Sequence, residues 1–290
     1  MDFWTLANGL ASGLLIGLVY GLSALGLSVI FGVIRIVNFA HGEIMVMGMF
    51  FALVMFRWLG LDPLVSVPLA ATAMFGFGYA LQRGVVSRVS HLPEHMQFLL
   101  LAAIAIMIVS TLLMIFGPDA QGVSVEYAWN SFAVGGLIID YPKLFAAIAA
   151  IIVAFALMAF FRYSATGKAI RACADNHRGA EVVGLNVKHL YALTFGIGAA
   201  CLGAAGAIIL LLIEVHPYLA PGYTLLAFVI VIVGGLGSLT GALLGGILIG
   251  VSEALAALLF QPSLKSAFSF GLLILVLLLR PQGILGRAVR

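Results

Sequence analysis

Residues 3–34 read FWTLANGLASGLLIGLVYGLSALGLSVIFGVI, a run with no Asp, Glu, Lys, Arg or His. Crossing the hydrocarbon core of a bilayer takes about 20 apolar residues. This run is long enough to cross and longer than one straight crossing needs, so an internal break is expected. The segment before it holds Asp2 and no Lys or Arg up to Thr5. A cleaved signal needs a basic leader and a small-residue cleavage site, so the run reads as a permanent membrane segment.

Similar runs follow at Ile36–Phe56, Pro63–Gln82, Met96–Gly117, Leu144–Phe161, Leu190–Ile213, Tyr223–Leu264 and Ser266–Leu279. The seventh run, like the first, is too long for one span. The chain is 63% hydrophobic and 9% charged, against about 25% charged in a soluble domain. The expected fold is all-α: a polytopic helical membrane protein of about eight spans. Residues 1–290 form one transmembrane domain, and 163–189 is its one long polar loop. Cys173 and Cys201 are too few and too far apart for a disulfide framework or a zinc site. No metal site is expected, and the scattered basic residues exclude a nucleic-acid partner.

Lys and Arg in short loops set orientation. The polar loop carries Arg162, Lys168, Arg171, Arg178 and Lys188. Arg83 and Arg88 follow the third run, and the tail carries Arg280, Arg287 and Arg290. Residues 117–143 instead hold Asp119, Glu126 and Asp140 against Lys143, and residues 214–222 hold no Lys or Arg. The basic loops and the C-terminus are therefore expected in the cytoplasm and the acidic loops outside. Arg35 and Arg57 flank a single run and cannot both face inward, which leaves the N-terminal orientation open.

Gly9, Gly13, Gly17 and Gly21 recur every four residues, and Gly237, Gly241 and Gly245 do the same in the seventh run. Small residues at that spacing let helix backbones approach closely in lipid. Helix packing and the lining of a substrate path are both open to them.

Two stretches interrupt the apolar pattern: Asn38-Phe-Ala-His41-Gly42-Glu43, and Gly234-Gly-Leu-Gly237-Ser238-Leu-Thr240-Gly241. One lies in each half, which suggests discontinuous helices in a repeated architecture. Irregular backbone at membrane depth must be buried in protein or face water. His41, Glu43 and Glu253 are ionisable residues inside otherwise apolar runs, which marks candidate sites on a translocation path. Each also has a structural reading, as a helix-end or interfacial group bonded to its neighbours. Carboxylates in series for a proton relay are not found.

In the polar loop, Lys168, Arg171, Asp175 and Arg178 recur at helical spacing around Ala169, Ile170, Ala172, Cys173 and Ala174. The spacing predicts a short amphipathic helix, and Gly184 is placed to end a second one. Docking of a partner and a solvated connector are both open. Gly167-Lys168 is not a P-loop, since Arg162 stands where the upstream glycine is required and Ala169 where Ser or Thr is.

The stretch Tyr20-Gly-Leu-Ser-Ala-Leu-Gly-Leu-Ser-Val-Ile-Phe-Gly-Val-Ile-Arg35-Ile-Val-Asn38-Phe-Ala-His41-Gly-Glu43 resembles the N-terminal signature of LivH-type permeases, in the branched-chain amino acid ABC transporter family. So do Gly167-Lys-Ala-Ile-Arg-Ala-Cys-Ala with Gly184-Leu-Asn, the Gly234–Gly246 stretch, and the tail Arg280-Pro-Gln-Gly-Ile-Leu-Gly. The matches run in order over nearly the whole chain, least well between Asp119 and Asp140. The resemblance implies a homologous second permease (LivM-type), two ATPase subunits and a periplasmic substrate-binding protein. It also implies a bacterial inner-membrane location. ATP and Mg would bind only to the ATPase subunits, and this chain would have no catalytic residues and no cofactor of its own. Gly167, Lys168, Arg171, Asp175, Arg178, Glu181 and Gly184 would then form the coupling segment. Asn38, His41, Glu43, Gly237, Ser238, Gly241 and Glu253 would mark helix breaks or the path. The implied solute is a branched-chain or related neutral amino acid. Urea, short amides and aromatic acids are the alternatives within the same family. A stand-alone channel or secondary carrier is the reading of a different class.

Overall fold

The structure, a computed structural model, describes residues 2–90 and 92–286. Arg287 and Arg290, two of the tail cations, lie outside the described residues. The first apolar run is one unbroken helix, α1 (Phe3–Ile34, 32 residues). At about 1.5 Å per residue it is about 48 Å long. The break expected from its length is absent: the extra residues simply lengthen the helix.

After α1 come α2 (His41–Leu59) and α3 (Pro63–Leu81), which continues through a π-turn (Gln82–Val86) into α4 (Ser87–Val89). Then follow α5 (Glu94–Phe116), a hairpin of β1 (Ser131–Val134) and β2 (Leu137–Asp140), and α6 (Tyr141–Tyr163). The polar loop holds α7 (Ala165–Asp175) and α8 (His177–Val182). The chain ends with α9 (Val187–Ile209), α10 (Ala220–Gly234), α11 (Leu239–Leu259) and α12 (Lys265–Leu279). Among the described residues nine helices are long and apolar enough to cross a membrane, so this is a multi-pass membrane protein. The ninth span comes from the seventh run, which Gly235–Ser238 divides into α10 and α11. Eight spans would have put the tail on the side opposite the basic loop. Nine return it to the same side, which removes that conflict.

Close helix contacts follow the glycines. A Cβ on Gly13 would lie 2.7 Å from the Ala254 side chain, and one on Gly17 would lie 2.7 Å from the Gly246 carbonyl oxygen. One on Gly21 would lie 3.1 Å from Leu243 Cα, and Gly9 faces the Leu258 side chain. Position 9 of α1 thus meets position 258 of α11, and position 21 meets 243: the two helices are antiparallel. The second glycine series is not one face. Gly237 lies in the turn before α11, while Gly241 and Gly245 turn toward Gly234 and Ile230 of α10. The α11 glycines that meet α1 are Gly246 and Gly250. A period of four in sequence lost its meaning where the helix ends.

The contacts also sort the chain ends onto two faces. Asn8, near the start of α1, donates to the Gly136 carbonyl at 3.0 Å in the hairpin of the acidic loop. Arg57 donates to Gln121 at 2.7 Å, and Gln121 is bridged to Val215. Tyr127 donates to the Asp62 carboxylate at 2.8 Å. Burial and the Asp62 carboxylate push the Tyr127 hydroxyl well above the usual tyrosine range. All of these lie on one face, called here the acidic face. Arg35 lies near Tyr191 at the start of α9, on the opposite, basic face with the polar loop. The ambiguity over Arg35 and Arg57 is resolved: they sit on opposite faces, and the N-terminus lies on the acidic one.

Candidate functional site

The two interruptions of the apolar pattern are not alike. Gly235–Ser238 closes a hairpin at the basic face. Gly237 sits against Gly32, near the end of α1. Ser238 caps α11 by accepting from the Gly241 N–H at 3.1 Å. The tail folds back over this turn, with Ile284 N–H donating to the Val233 carbonyl at 2.9 Å and Leu285 N–H to the Gly234 carbonyl at 3.0 Å. Otherwise exposed helix-end carbonyls are thereby satisfied. This is a sealed turn between two spans and not a discontinuity at mid-depth.

The first interruption re-enters the protein. From Arg35 at the basic face the chain runs without regular structure through residues 36–38 and starts α2 at His41, which is fully buried. His41 lies against the Ser23 backbone, about 16 Å along α1 from its end at Ile34 at about 1.5 Å per residue. Helix α2 therefore begins deep in the bundle. Its first turn is pressed onto α10. There is no room for a Cβ on Gly42, which would lie 2.7 Å from Thr224 Oγ1. The Gly42 N–H donates to Thr224 Oγ1 at 2.8 Å, and Thr224 Oγ1 donates to Glu43 Oε2 at 3.3 Å. Asn38 Oδ1 accepts from the Ala40 N–H at 3.1 Å.

Much of the polarity there is unanswered. Both His41 ring nitrogens and Asn38 Nδ2 are buried with no hydrogen-bond partner. Glu43 is 4% exposed. Among the described residues the one ion pair is Lys143–Asp140 at 2.6 Å, so Glu43 has no cationic partner. A charge at mid-membrane costs about 2.5–3.5 kcal/mol even on lenient insertion scales. Buried polar atoms normally find partners, so this cluster is a departure from the rule inside an apolar bundle.

Glu253 is carried by α11. It accepts from Ser269 Oγ of α12 at 2.9 Å, and Tyr20 of α1 and Tyr223 of α10 close around it. It ties four helices together. The structure places Gly237, Ser238 and Gly241 at the basic-face turn, away from Asn38, His41 and Glu43. Asn38, His41 and Glu43 come together at the start of α2, and Tyr223, which reaches Glu253, is the sequence neighbour of Thr224, which bonds Glu43.

The polar loop forms an elbow on the basic face. Ser164 caps α7 by accepting from the Gly167 N–H at 2.9 Å, and Gly167 lies flush on Phe160 and Phe161. Ile170 and Cys173 face inward and are buried, and burial raises the Cys173 thiol above its usual range. Lys168, Arg171 and Asp175 face outward. Asn176 caps α8 through the Gly179 N–H at 2.9 Å. At its other end the Gly184 N–H donates to the Glu181 carbonyl at 3.0 Å and the Leu185 N–H to the Ala180 carbonyl at 2.9 Å. This is the Schellman pattern, with Gly184 at φ 86° where a glycine is favoured. Arg178, Glu181 and Gly184 are exposed. Val182 and Val183 are 88% and 76% exposed.

Sequence reasoning missed Thr224, Val182 and Val183. Thr224 looks like any threonine in an apolar helix, and its partners are 181 and 182 residues away. Two adjacent valines in a polar loop were a visible signal, because apolar side chains on a solvated elbow await a covering surface.

The family model for the permease component of branched-chain amino acid transport systems matches residues 9–277. The chain is similar to the high-affinity branched-chain amino acid transport system permease protein BraD of Pseudomonas aeruginosa. It is 35% identical to it, over 96% of this chain and 95% of that one. It is 32% identical to LivH of Escherichia coli K12, over 95% and 94%. It is 26% identical to a probable branched-chain amino acid transport permease protein LivH of Methanocaldococcus jannaschii, over 91% and 88%. No solved structure matches. A matched region spanning nearly all nine helices, with relatives covered almost end to end, places this chain in the family of permease components of branched-chain amino acid transport systems.

Proposed function

We propose that this chain is one permease of an ABC importer that carries branched-chain amino acids across the bacterial inner membrane. The basic face is the cytoplasmic one. Two ATPase subunits bind ATP and Mg and supply the energy, while this chain has no catalytic residue or cofactor. A homologous second permease completes the pore, and a periplasmic binding protein delivers solute to the acidic face.

The α7–α8 elbow carries this reading. It is held firmly underneath by Gly167, Ile170 and Cys173. On top it offers charges (Lys168, Arg171, Asp175, Arg178, Glu181) beside the bare Val182-Val183 pair. A rigid element with an apolar tip and a charged rim is what a docking ATPase needs to move the spans. The path in this subunit passes the start of α2, where Asn38, His41 and Glu43 gather in an otherwise apolar bundle. Closure of the ATPase pair pushes the elbow, α6 and α9 follow, and the α2–α10 contact at Thr224 opens and closes.

The test is co-expression of this chain, tagged, with its neighbouring transport genes and reconstitution of what co-purifies. ATP-dependent leucine uptake that needs the binding protein is the expected result. A homo-oligomer without an ATPase that leaks solute passively would replace this reading with a channel.

A further inference from the structure

At the basic face, between the re-entrant segment and the first turn of α5, lies an open cleft of about 300 Å³. That is the lower end of the range for small-molecule sites. Its apolar wall is Ile36, Val37, Phe39 and Phe98, with Phe39 and Phe98 edge to face at 4.2 Å between centroids. Its polar groups are Arg35, His95 and Gln97. No described carboxylate lines it. Arg35 is exposed, and among the described residues it is the one non-glycine with a left-handed backbone, at φ 58°. Its N–H caps α1 by donating to the Phe31 carbonyl at 3.0 Å. Such a conformation costs on the order of 1 kcal/mol where glycine would be free of it. The bend sets a guanidinium at the mouth of an apolar cleft. The amino end of the 23-residue α5, with its positive dipole, opens onto the same space.

We propose that this cleft is a binding site for an aliphatic amino acid at the inner mouth of the path, with the Arg35 guanidinium taking the carboxylate and the Phe39–Phe98 wall taking the side chain. The inference rests on the transport reading. Its floor is the segment that leads up to Asn38 and His41, so a solute leaving the buried cluster reaches Arg35 before bulk water. A guanidinium pairs a carboxylate through two parallel hydrogen bonds, and the apolar wall selects a hydrocarbon side chain over a polar one. Filled from the cytoplasmic side, the site would make accumulated solute slow its own import.

The experiment uses the complete importer in phosphatidylcholine nanodiscs, without binding protein or nucleotide. Saturation-transfer NMR is recorded with leucine, with 4-methylpentanoate, which lacks the amino group, and with leucinol, which lacks the carboxylate. Leucine and 4-methylpentanoate are expected to bind, and leucinol about tenfold or more weakly, as the loss of a charge-assisted hydrogen bond requires. Arg35→Gly is the informative variant, because it removes the guanidinium while relieving the left-handed backbone. It should keep the melting temperature at or above wild type and lose leucine binding. Arg35→Lys should retain part of it. Equal binding of leucine and leucinol, or wild-type binding by Arg35→Gly, overturns the proposal. So does the absence of any leucine signal from an importer that takes up leucine. Arg35-dependent binding in an importer that takes up no leucine would instead refute the transport reading and leave the cleft standing.

Discussion

Thr224 does two jobs with one oxygen: it accepts from the Gly42 N–H and donates to the Glu43 carboxylate. Valine has the same shape without the hydroxyl. Thr224→Val would leave both groups buried without that partner, and each unsatisfied buried group costs about 1–3 kcal/mol. The purified variant should therefore melt measurably earlier, while Thr224→Ser should melt close to wild type. Equal melting of all three would mean that the hydroxyl contributes nothing to the α2–α10 contact. The sequence made His41 and Glu43 conspicuous, because ionisable groups in an apolar run violate its pattern. It hid Thr224, because a hydroxyl that bonds to a distant segment leaves no local trace. The same limit applied to Glu253, whose tyrosine and serine neighbours come from three other helices.

At the scale of elements, two kinds of glycine carry the architecture. In α1 they serve proximity. Gly17→Leu would drive a side chain into the Gly246 carbonyl and Ile247 Cα, which are backbone and cannot rotate away. Overpacking of a rigid contact usually costs about 1–3 kcal/mol or more. The expected outcome is loss of folded protein in detergent, read as a collapsed gel-filtration peak, whereas Gly76→Leu, with open space around it, should leave the peak intact. Gly184 serves conformation. Nothing crowds it, so Gly184→Ala tests backbone alone, at a strain cost of about 1 kcal/mol. Gly184→Pro also removes the N–H that caps α8. ATP hydrolysis without uptake is expected in the proline variant, with mild loss in the alanine one. Full uptake by both would show that the α8 end does not transmit motion. The α1 spacing was readable because a continuous helix preserves its period. In the second series it failed at Gly235, where the helix stops and the period no longer maps onto one face.

For the whole molecule the governing quantity is which face each end occupies. Basic residues alone placed the polar loop correctly relative to the acidic loop, because Lys and Arg crowd the one and only Lys143 stands in the other. They failed at the N-terminus, where one arginine lies on either side of one run. Only tertiary contacts decide there: Asn8 with the hairpin, Arg35 near Tyr191, Arg57 with Gln121. The hairpin itself, Ser131–Asp140, fell in the stretch with least pattern, since two four-residue strands, one exposed and one mostly half-buried, carry little burial signal. The arrangement makes a full prediction. In a variant with Cys173 and Cys201 replaced by serine, a single cysteine at Trp129 (91% exposed) should react with a membrane-impermeant maleimide in intact cells. A single cysteine at Val182 (88% exposed) should react only after the membrane is opened. A cysteine at Asp2, just before α1, should behave like the one at Trp129, because nine spans require the two ends of the chain to lie on opposite faces. Labelling at position 2 only in opened membranes would overturn the assignment of the N-terminus to the acidic face. It would also break the antiparallel match of α1 with α11, since the two ends of that pair cannot exchange sides while Gly13 still faces Ala254.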